Sequence, residues 1–167
     1  PYHDDFPLAT TANSKGLNET KLATRDSVVR GLAVEHVSDQ SKVVDVLLAA
    51  AKRGQCACWI RNTVDDAIDA YEWLRARVDD PDLVLLFHSR FTMADRQRIE
   101  NQALDWFGKS SGVADRAGRI LIGTQVLEQS LDICMDVMVS DLAPIDLLIQ
   151  RAGRLHRHRP SAPASTW

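Results

Sequence analysis

Five short apolar runs, Leu32–Val37, Cys56–Ile60, Leu83–Phe87, Ile120–Ile122 and Val137–Val139, alternate along the chain with segments of helical period. Each run is nearly continuous rather than alternating, the pattern of parallel strands covered on both faces. Between them, Ser41–Arg53 places Val43, Val44, Leu47, Leu48 and Ala51 on one helical face, with Gly54 as its stop. Thr63–Val78 aligns Val64, Ala67, Ile68, Tyr71, Leu74 and Val78 in one stripe. Thr63 followed three residues later by Asp66 is a helix-start signal. Thr92 and Asp95 repeat that signal ahead of a helix reaching about Phe107. Gly108–Gly118 reads as a polar loop, and Pro144 opens a last helix that ends near Arg154. This order implies an α/β fold: an open parallel sheet with helices on both faces and right-handed crossovers. Such sheets bind ligands beyond the carboxyl ends of their strands. The chemistry is therefore expected in Arg61–Thr63, His88–Phe91, Thr124–Asp132 and Asp141–Pro144.

The ends differ from the middle. Residues 1–27 are rich in Thr, Asn, Asp and Ser without a sustained apolar period, and are expected to be a weakly structured leader or arm. Residues 28–158 are expected to form the folded domain. Residues 159–167, rich in Pro, Ser and Ala, read as a linker that stops abruptly. The chain has 167 residues, 45% of them hydrophobic and 26% charged, an ordinary globular composition. A domain of that size needs no disulfide or metal staple. No apolar run approaches the roughly 20 residues of a membrane span, and no signal-peptide pattern opens the chain, so no membrane association is expected. Cys56, Cys58 and Cys134 are too few and too oddly numbered for a disulfide framework, which points to a reducing compartment, the cytoplasm. The net charge of −3, from 20 basic and 23 acidic residues, disfavours polyanion binding by bulk charge. The basic residues are unevenly placed, however: fifteen of the twenty are Arg, and four of those lie within Arg151–Arg159.

Several catalytic and metal-binding motifs are incomplete or missing in the sequence. Gly108-Lys109-Ser110 supplies only the second half of a P-loop, after a helix rather than a strand. No Asp-Glu pair ends an apolar strand. Cys56-x-Cys58 reads as core. His156-x-His158 lacks companion ligands for zinc, and His3-Asp4 lacks companion histidines. No Gly-x-Ser-x-Gly elbow is present. The chain by itself carries no complete catalytic apparatus, and no metal site is expected on it.

Positive signals concentrate at the end of the chain. Arg151 and Arg154 stand one helical turn apart, and Arg157 extends the row if the helix continues, so that the guanidiniums would line one edge. Such forks match phosphate oxygens bidentately; the same row also suits a solvated helix end that complements the dipole. The segment Gly-Thr-Gln-Val-Leu-Glu-Gln-Ser-Leu-Asp, 123–132, resembles motif V of the second RecA-like domain of superfamily 2 helicases. Gln-Arg-Ala-Gly-Arg-Leu-His-Arg, 150–157, resembles motif VI. Together with Leu-Phe-His-Ser-Arg-Phe-Thr-Met-Ala-Asp-Arg, 86–96, they resemble the helicase–nuclease of type I CRISPR systems over about residues 28–160. A different DExH helicase acting on RNA or other DNA is the alternative family. A non-enzymatic α/β binding module is the alternative class.

The resemblance implies a RecA-like domain that faces a first RecA-like domain across ATP. The first domain would supply the P-loop and the carboxylates for Mg2+. This domain would supply arginine fingers at Arg154 and Arg157, worth roughly 10³–10⁵ in rate in phosphoryl transfer. Gln150 would order the nucleotide side. Asp132 would accept from the ATP ribose, or alternatively cap the following turn. Arg151 belongs to the same ATP-side motif, where it would brace the domain interface or motif V more than touch phosphate. Thr63, Ser89, Arg90 and Thr124 would hold DNA phosphates; Thr63 is equally a plain N-cap. His88 is either a packed strand-end histidine or a ligand contact, and Arg96 either pairs with acids or binds. Glu128 and Gln129 would couple the ATP cleft to the DNA track. The implied partners are single-stranded DNA, the first RecA-like and nuclease domains of the parent protein, and a guide-RNA surveillance complex, with 3′ to 5′ movement. This chain alone is expected to hydrolyse no ATP and to bind single strands weakly, in a salt-sensitive way.

Overall fold

The structure, a computed structural model, describes residues 7–14, 16–23, 31–129 and 131–157. His3-Asp4, Ser130, His158, Arg159, the 159–167 linker and the side chain of Gln129 lie outside the described residues. Residues 1–36 and 37–167 form two compact units.

In the first unit, β1 (Leu8–Asn13) and β2 (Gly16–Lys21) form an antiparallel hairpin whose register runs from Leu8↔Lys21 to Asn13↔Gly16. Gly16 takes φ 121 at the turn, a conformation open to a residue without Cβ. Little structure is expected there from the apolar pattern. The hairpin forms instead on β-branched threonines and backbone pairing, which carry no apolar period. The run Leu32–Val37 is no strand: residues 31–39 have no regular structure. Glu35 and His36 break its apolar sequence, and of its hydrophobic residues Val37 packs against the core while Val34 stays exposed.

The second unit carries α1 (Gln40–Lys52), β3 (Ala57–Ile60), α2 (Val64–Arg75), β4 (Val84–Phe87), α3 (Met93–Phe107), α4 (Val113–Arg116), β5 (Ile120–Gly123), α5 (Val126–Gln129), β6 (Val137–Ser140) and α6 (Ile145–Ala152). Its four strands are all parallel, in the order β4-β5-β3-β6. The Gly108–Gly118 segment is not wholly loop, since α4 forms within it. Helix starts follow the sequence signals: Thr63 Oγ1 accepts from Asp66 N at 3.1 Å, and Thr92 Oγ1 from Asp95 N at 3.3 Å.

Alternation along each strand splits the core. Ala57, Trp59, Val84, Ile120 and Ile122 pack with Val43, Val44 and Leu47 of α1 and Ala67, Ala70 and Leu74 of α2. Cys58, Ile60, Leu85, Phe87 and Leu121 pack with Ile99, Ala103 and Phe107 of α3. Cys56 and Cys58 share this second cluster, as the core reading expects. Burial, and then the Asp136 charge, push the Cys56 thiol up to about 11, so it is an inert apolar group at neutral pH. Arg116 is buried beside it, donating to the Cys134 carbonyl at 2.5 Å with Asp136 Oδ1 at 3.9 Å.

Gly123 ends the central strand β5 where no side chain fits. A Cβ there would lie 2.4 Å from the Phe87 carbonyl oxygen and 3.0 Å from Leu127. The backbone oxygen cannot yield, so Gly123→Ala is expected to lower stability by about 1–3 kcal/mol, read as a lower urea midpoint. An unchanged midpoint would show that β4 and β5 can separate at this end.

Candidate nucleotide and nucleic-acid interface

The parallel register brings four strand ends to one edge: Phe87 pairs with Gly123, Gly123 with Ile60, and Ile60 with Ser140. His88, Thr124, Arg61 and Asp141 follow them. The ladder continues into these residues: Thr124 N donates to Phe87 O at 3.3 Å, Arg61 N to Gly123 O at 2.8 Å, and Asp141 N to Ile60 O at 2.9 Å. All the loops named from the sequence leave the sheet along this carboxyl edge.

One half of the edge carries the residues expected to meet DNA. Thr63 is exposed, and its hydroxyl also donates to Asp66 Oδ2 at 2.6 Å, so its N-cap role is realised. Ser89 is exposed in the turn after β4. Arg90 Nη1 pairs with Asp65 Oδ1 at 2.5 Å, which draws the Ser89–Arg90 turn against the first turn of α2. The partners are 61% and 74% exposed, and an ion pair that open to water is worth about 0–1 kcal/mol. It is easily exchanged for a phosphate. Thr124, in contrast, is only 3% exposed. Arg96 pairs with Glu100 at 3.0 Å, the acid-pairing alternative.

His88 takes the packed alternative. It is buried, stacks on Phe91 with centroids 4.1 Å apart, and its Nδ1 accepts from Arg90 N at 3.2 Å. Burial first, and the Arg90 charge second, lower its pKa from the ordinary 6.5. The unfolded chain therefore binds this proton more readily, and stability falls as pH drops below about 6.5, with no such loss above it. His88→Gln is expected to shrink the difference in urea midpoint between about pH 7 and about pH 5. An undiminished difference would assign the acid sensitivity to other groups.

The other half carries the arginines, and here the structure corrects the sequence reading. The last helix stops at Ala152, and His156 takes a positive φ of 50 beyond it. Met135 N donates to Arg154 O at 3.0 Å and His156 N to Met135 O at 2.9 Å, so this end is tied into the bridge beside β6 instead of continuing as helix. The three guanidiniums thus form no row along one edge. Arg151 turns inward: its side chain is 1% exposed, with Nε 2.6 Å from Glu128 Oε1, whose side chain is 3% exposed. Its Nη1 donates to Ser140 Oγ at 2.7 Å and to the Asp141 carbonyl at 3.1 Å. Its Nη2 is buried without a hydrogen-bond partner among the described residues. A place for Arg151 on the ATP side is thereby corrected, for burial leaves it the bracing part only. Arg154 donates to the carbonyls of Leu131 and Glu128, at the end of α5. Burial, and then the neighbouring Arg157 charge, lower its pKa. Arg157 Nη1 pairs with Asp132 Oδ1 at 3.2 Å, the partners 46% and 54% exposed. Gln150 is exposed on α6.

Residues that the sequence placed in these loops without assigning them a role knit the two halves together. Arg61, buried against the Trp59 ring at 4.6 Å, donates to Asp141 Oδ2 at 3.0 Å. Asn62 N donates to the same oxygen at 3.0 Å, and Gln125 Nε2 to the Asn62 carbonyl at 3.0 Å. The available signal was a charged residue directly at the end of an otherwise apolar strand, twice over, at Arg61 and Asp141. Among the described residues no group of three or more His, Cys, Asp or Glu could hold a metal ion, and no helix is long and apolar enough to cross a membrane.

A four-stranded parallel sheet covered on both faces, with arginines and helix starts along its carboxyl edge, defines a RecA-like α/β domain. The family model described as "CRISPR-associated nuclease/helicase Cas3, C-terminal" matches residues 53–160. The chain belongs to that family. It is 43% identical over 116 residues, 70% of its length, to the CRISPR-associated endonuclease/helicase Cas3 of Escherichia coli K12. It is 36% identical over 160 residues, 96% of its length, to the CRISPR-associated nuclease/helicase Cas3 of Streptococcus thermophilus. The chain spans only 13% and 17% of those two relatives. Among solved structures, a crystal structure of a CRISPR-associated protein matches with TM-score 0.83 at 34% identity, over 95% of this chain and 18% of that one. The T. fusca Cas3–ATP crystal structure matches with TM-score 0.61 at 38% identity, over 75% of this chain and 15% of that one. A structure titled as a CRISPR RNA-guided surveillance complex, pre-nicking, matches with TM-score 0.58 at 38% identity, over 72% and 14%.

Proposed function

We propose that this chain is the second motor domain, residues 28–158, of an ATP-dependent single-stranded DNA translocase joined to a nuclease that degrades invader DNA in type I CRISPR interference. The observation that carries the reading is the pair Arg154 and Arg157 on the Glu128–Asp132 segment: Arg154 donates to the carbonyls of Glu128 and Leu131, Arg157 pairs with Asp132, and the Arg157 charge is near enough to add to burial in lowering the pKa of Arg154. Two adjacent cations fit a polyphosphate. The Arg157–Asp132 pair is exposed and so easily exchanged for one. ATP would supply the phosphoryl group, with Mg2+ held by the first RecA-like domain. On this chain, Arg157 and Arg154 stabilise phosphate charge, Gln150 orders the nucleotide side, and Asp132 accepts from the ribose. Glu128 and Gln129 couple that side to the DNA, with Arg151 as the brace behind Glu128.

Thr63, Ser89 and Arg90 meet the strand at its backbone, which lets the contacts ignore sequence, as a translocating motor requires; Thr124, only 3% exposed and with its N–H donated to Phe87, is withdrawn from that set. Similarity to the T. fusca Cas3–ATP structure and to the CRISPR RNA-guided surveillance complex supports ATP and a guide-RNA complex as ligands of the parent protein, which would act in the cytoplasm. The test is ATP turnover by the full-length protein with and without single-stranded DNA. Loss of DNA-stimulated turnover in Arg157→Ala with DNA binding retained supports the reading. Unchanged turnover overturns it in favour of a non-enzymatic binding module.

A further inference from the structure

The geometry points to Asp141 as a positioning residue that ties the arginine-bearing helix to both loops facing DNA, an inference that rests on the motor reading above. Asp141 leaves β6 on the carboxyl edge and bridges in two directions. Toward α6, its carbonyl accepts from Arg151 Nη1 at 3.1 Å and from Ser140 Oγ at 2.7 Å, and Ser140 Oγ itself accepts from Arg151 Nη1 at 2.7 Å. Toward α2, its Oδ2 accepts from Arg61 Nε and from Asn62 N, both at 3.0 Å. Asn62 closes the circuit by donating from Nδ2 to the Leu142 carbonyl at 2.8 Å and accepting at its own carbonyl from Gln125 Nε2 at 3.0 Å. Asn62 directly precedes Thr63, and Gln125 directly follows Thr124. The Asp141 carboxylate therefore stands one hydrogen bond from the Asn62 loop and two from the Gln125 loop, while the backbone carbonyl of the same residue stands one from the arginine that braces Glu128.

Five of these bonds end on backbone atoms of Asn62, Asp141 and Leu142. They fix where the loops lie, not merely a balance of charge. The Arg151–Ser140 and Arg61–Asp141 bonds run between side chains, and the Arg61 guanidinium is held on three sides, by Trp59, Asp141 and Asp66 at 3.8 Å. The carboxylate it faces is 25% exposed, so the bond is charge-assisted and partly shielded from water. A shift of α6 on nucleotide binding would pull on Asp141 through Arg151 and move Asn62 and Gln125 with it. Asp141 acts through these neighbours.

The test is made on the full-length protein by measuring its affinity for a single-stranded oligonucleotide with and without a non-hydrolysable ATP analogue. In wild type the two affinities are expected to differ by about 5–150-fold, the ordinary range of coupling between two sites. In Asp141→Ala the affinity for each ligand alone is expected to stay within about threefold of wild type while the ratio falls toward one. Asp141→Asn, whose amide oxygen still accepts from Arg61 and Asn62, is expected to keep most of the ratio. A merely structural role would weaken both affinities and leave their ratio intact. Asn62→Ala and Gln125→Ala, at exposed positions, each remove one bond and are expected to shrink the ratio in part, non-additively with Asp141→Ala. They carry the test if Asp141→Ala does not fold. A full wild-type ratio in Asp141→Ala, or in both exposed variants, overturns the role of Asp141 alone. A wild type that binds neither ligand overturns the motor reading beneath it.

Discussion

Arg157→Ala in the full-length protein is expected to slow DNA-stimulated ATP turnover by about 10³-fold, the lower end of what an arginine finger contributes to phosphoryl transfer. The stability of the domain should barely change, because Arg157 has an exposed partner, Asp132 at 3.2 Å, and such a pair contributes about 0–1 kcal/mol. Arg154→Ala should separate from it in a telling way. Arg154 holds the carbonyls of Glu128 and Leu131. Its loss leaves two acceptors without that donor, so a comparable drop in turnover is expected together with a stability loss of about 1–3 kcal/mol. Arg157→Lys keeps the charge but loses the planar fork and should recover only part of the rate. Steady-state turnover at saturating single-stranded DNA, measured beside thermal unfolding of the same preparations, separates the two arginines. If both variants lose stability and neither loses turnover, the two guanidiniums serve only to close the end of α6.

Apart from α4, which read as part of a polar loop, the strands and helices of the second unit were legible because their signals are local and redundant. Continuous apolar runs marked β3 to β6, and Thr63 and Thr92 announced α2 and α3. The order β4-β5-β3-β6 is a property of long-range pairing that no local pattern carries. Leu32–Val37 failed as a strand for the opposite reason: its local signal lacks a partner among the described strands, and Glu35 interrupts it. In the site, resemblance located motifs, and spacing put Arg151, Arg154 and Arg157 on one row. A row presupposes that the helix continues, and it stops at Ala152. What each guanidinium meets is decided by the depth of its position against β6 and α5, which spacing does not encode. The Asp141 circuit was illegible for the same reason, since its partners lie about eighty residues away in sequence.

The largest stability effect is expected where the chain has buried charge. Arg151 and Glu128 are 1% and 3% exposed, 2.6 Å apart, and Arg151 Nη2 already lacks a hydrogen-bond partner among the described residues. Removing either partner leaves the other's charge buried and uncompensated, so Glu128→Ala and Arg151→Ala should each cost about 3–5 kcal/mol in urea unfolding. Replacing both with apolar residues of similar size, as in Glu128→Leu with Arg151→Met, removes the charges together. The double variant should therefore stand within about 1–2 kcal/mol of wild type, well above either single variant. Stability and function should then part company. The double variant fills the space but no longer bonds Ser140 and the Asp141 carbonyl to α6, so DNA-stimulated ATP turnover should stay depressed even where folding is restored. Single variants near wild-type stability would mean that water reaches the pair and screens it like the exposed ones. A double variant with full turnover would show that α6 communicates with the DNA-facing loops by packing alone, without the buried charges that now join them.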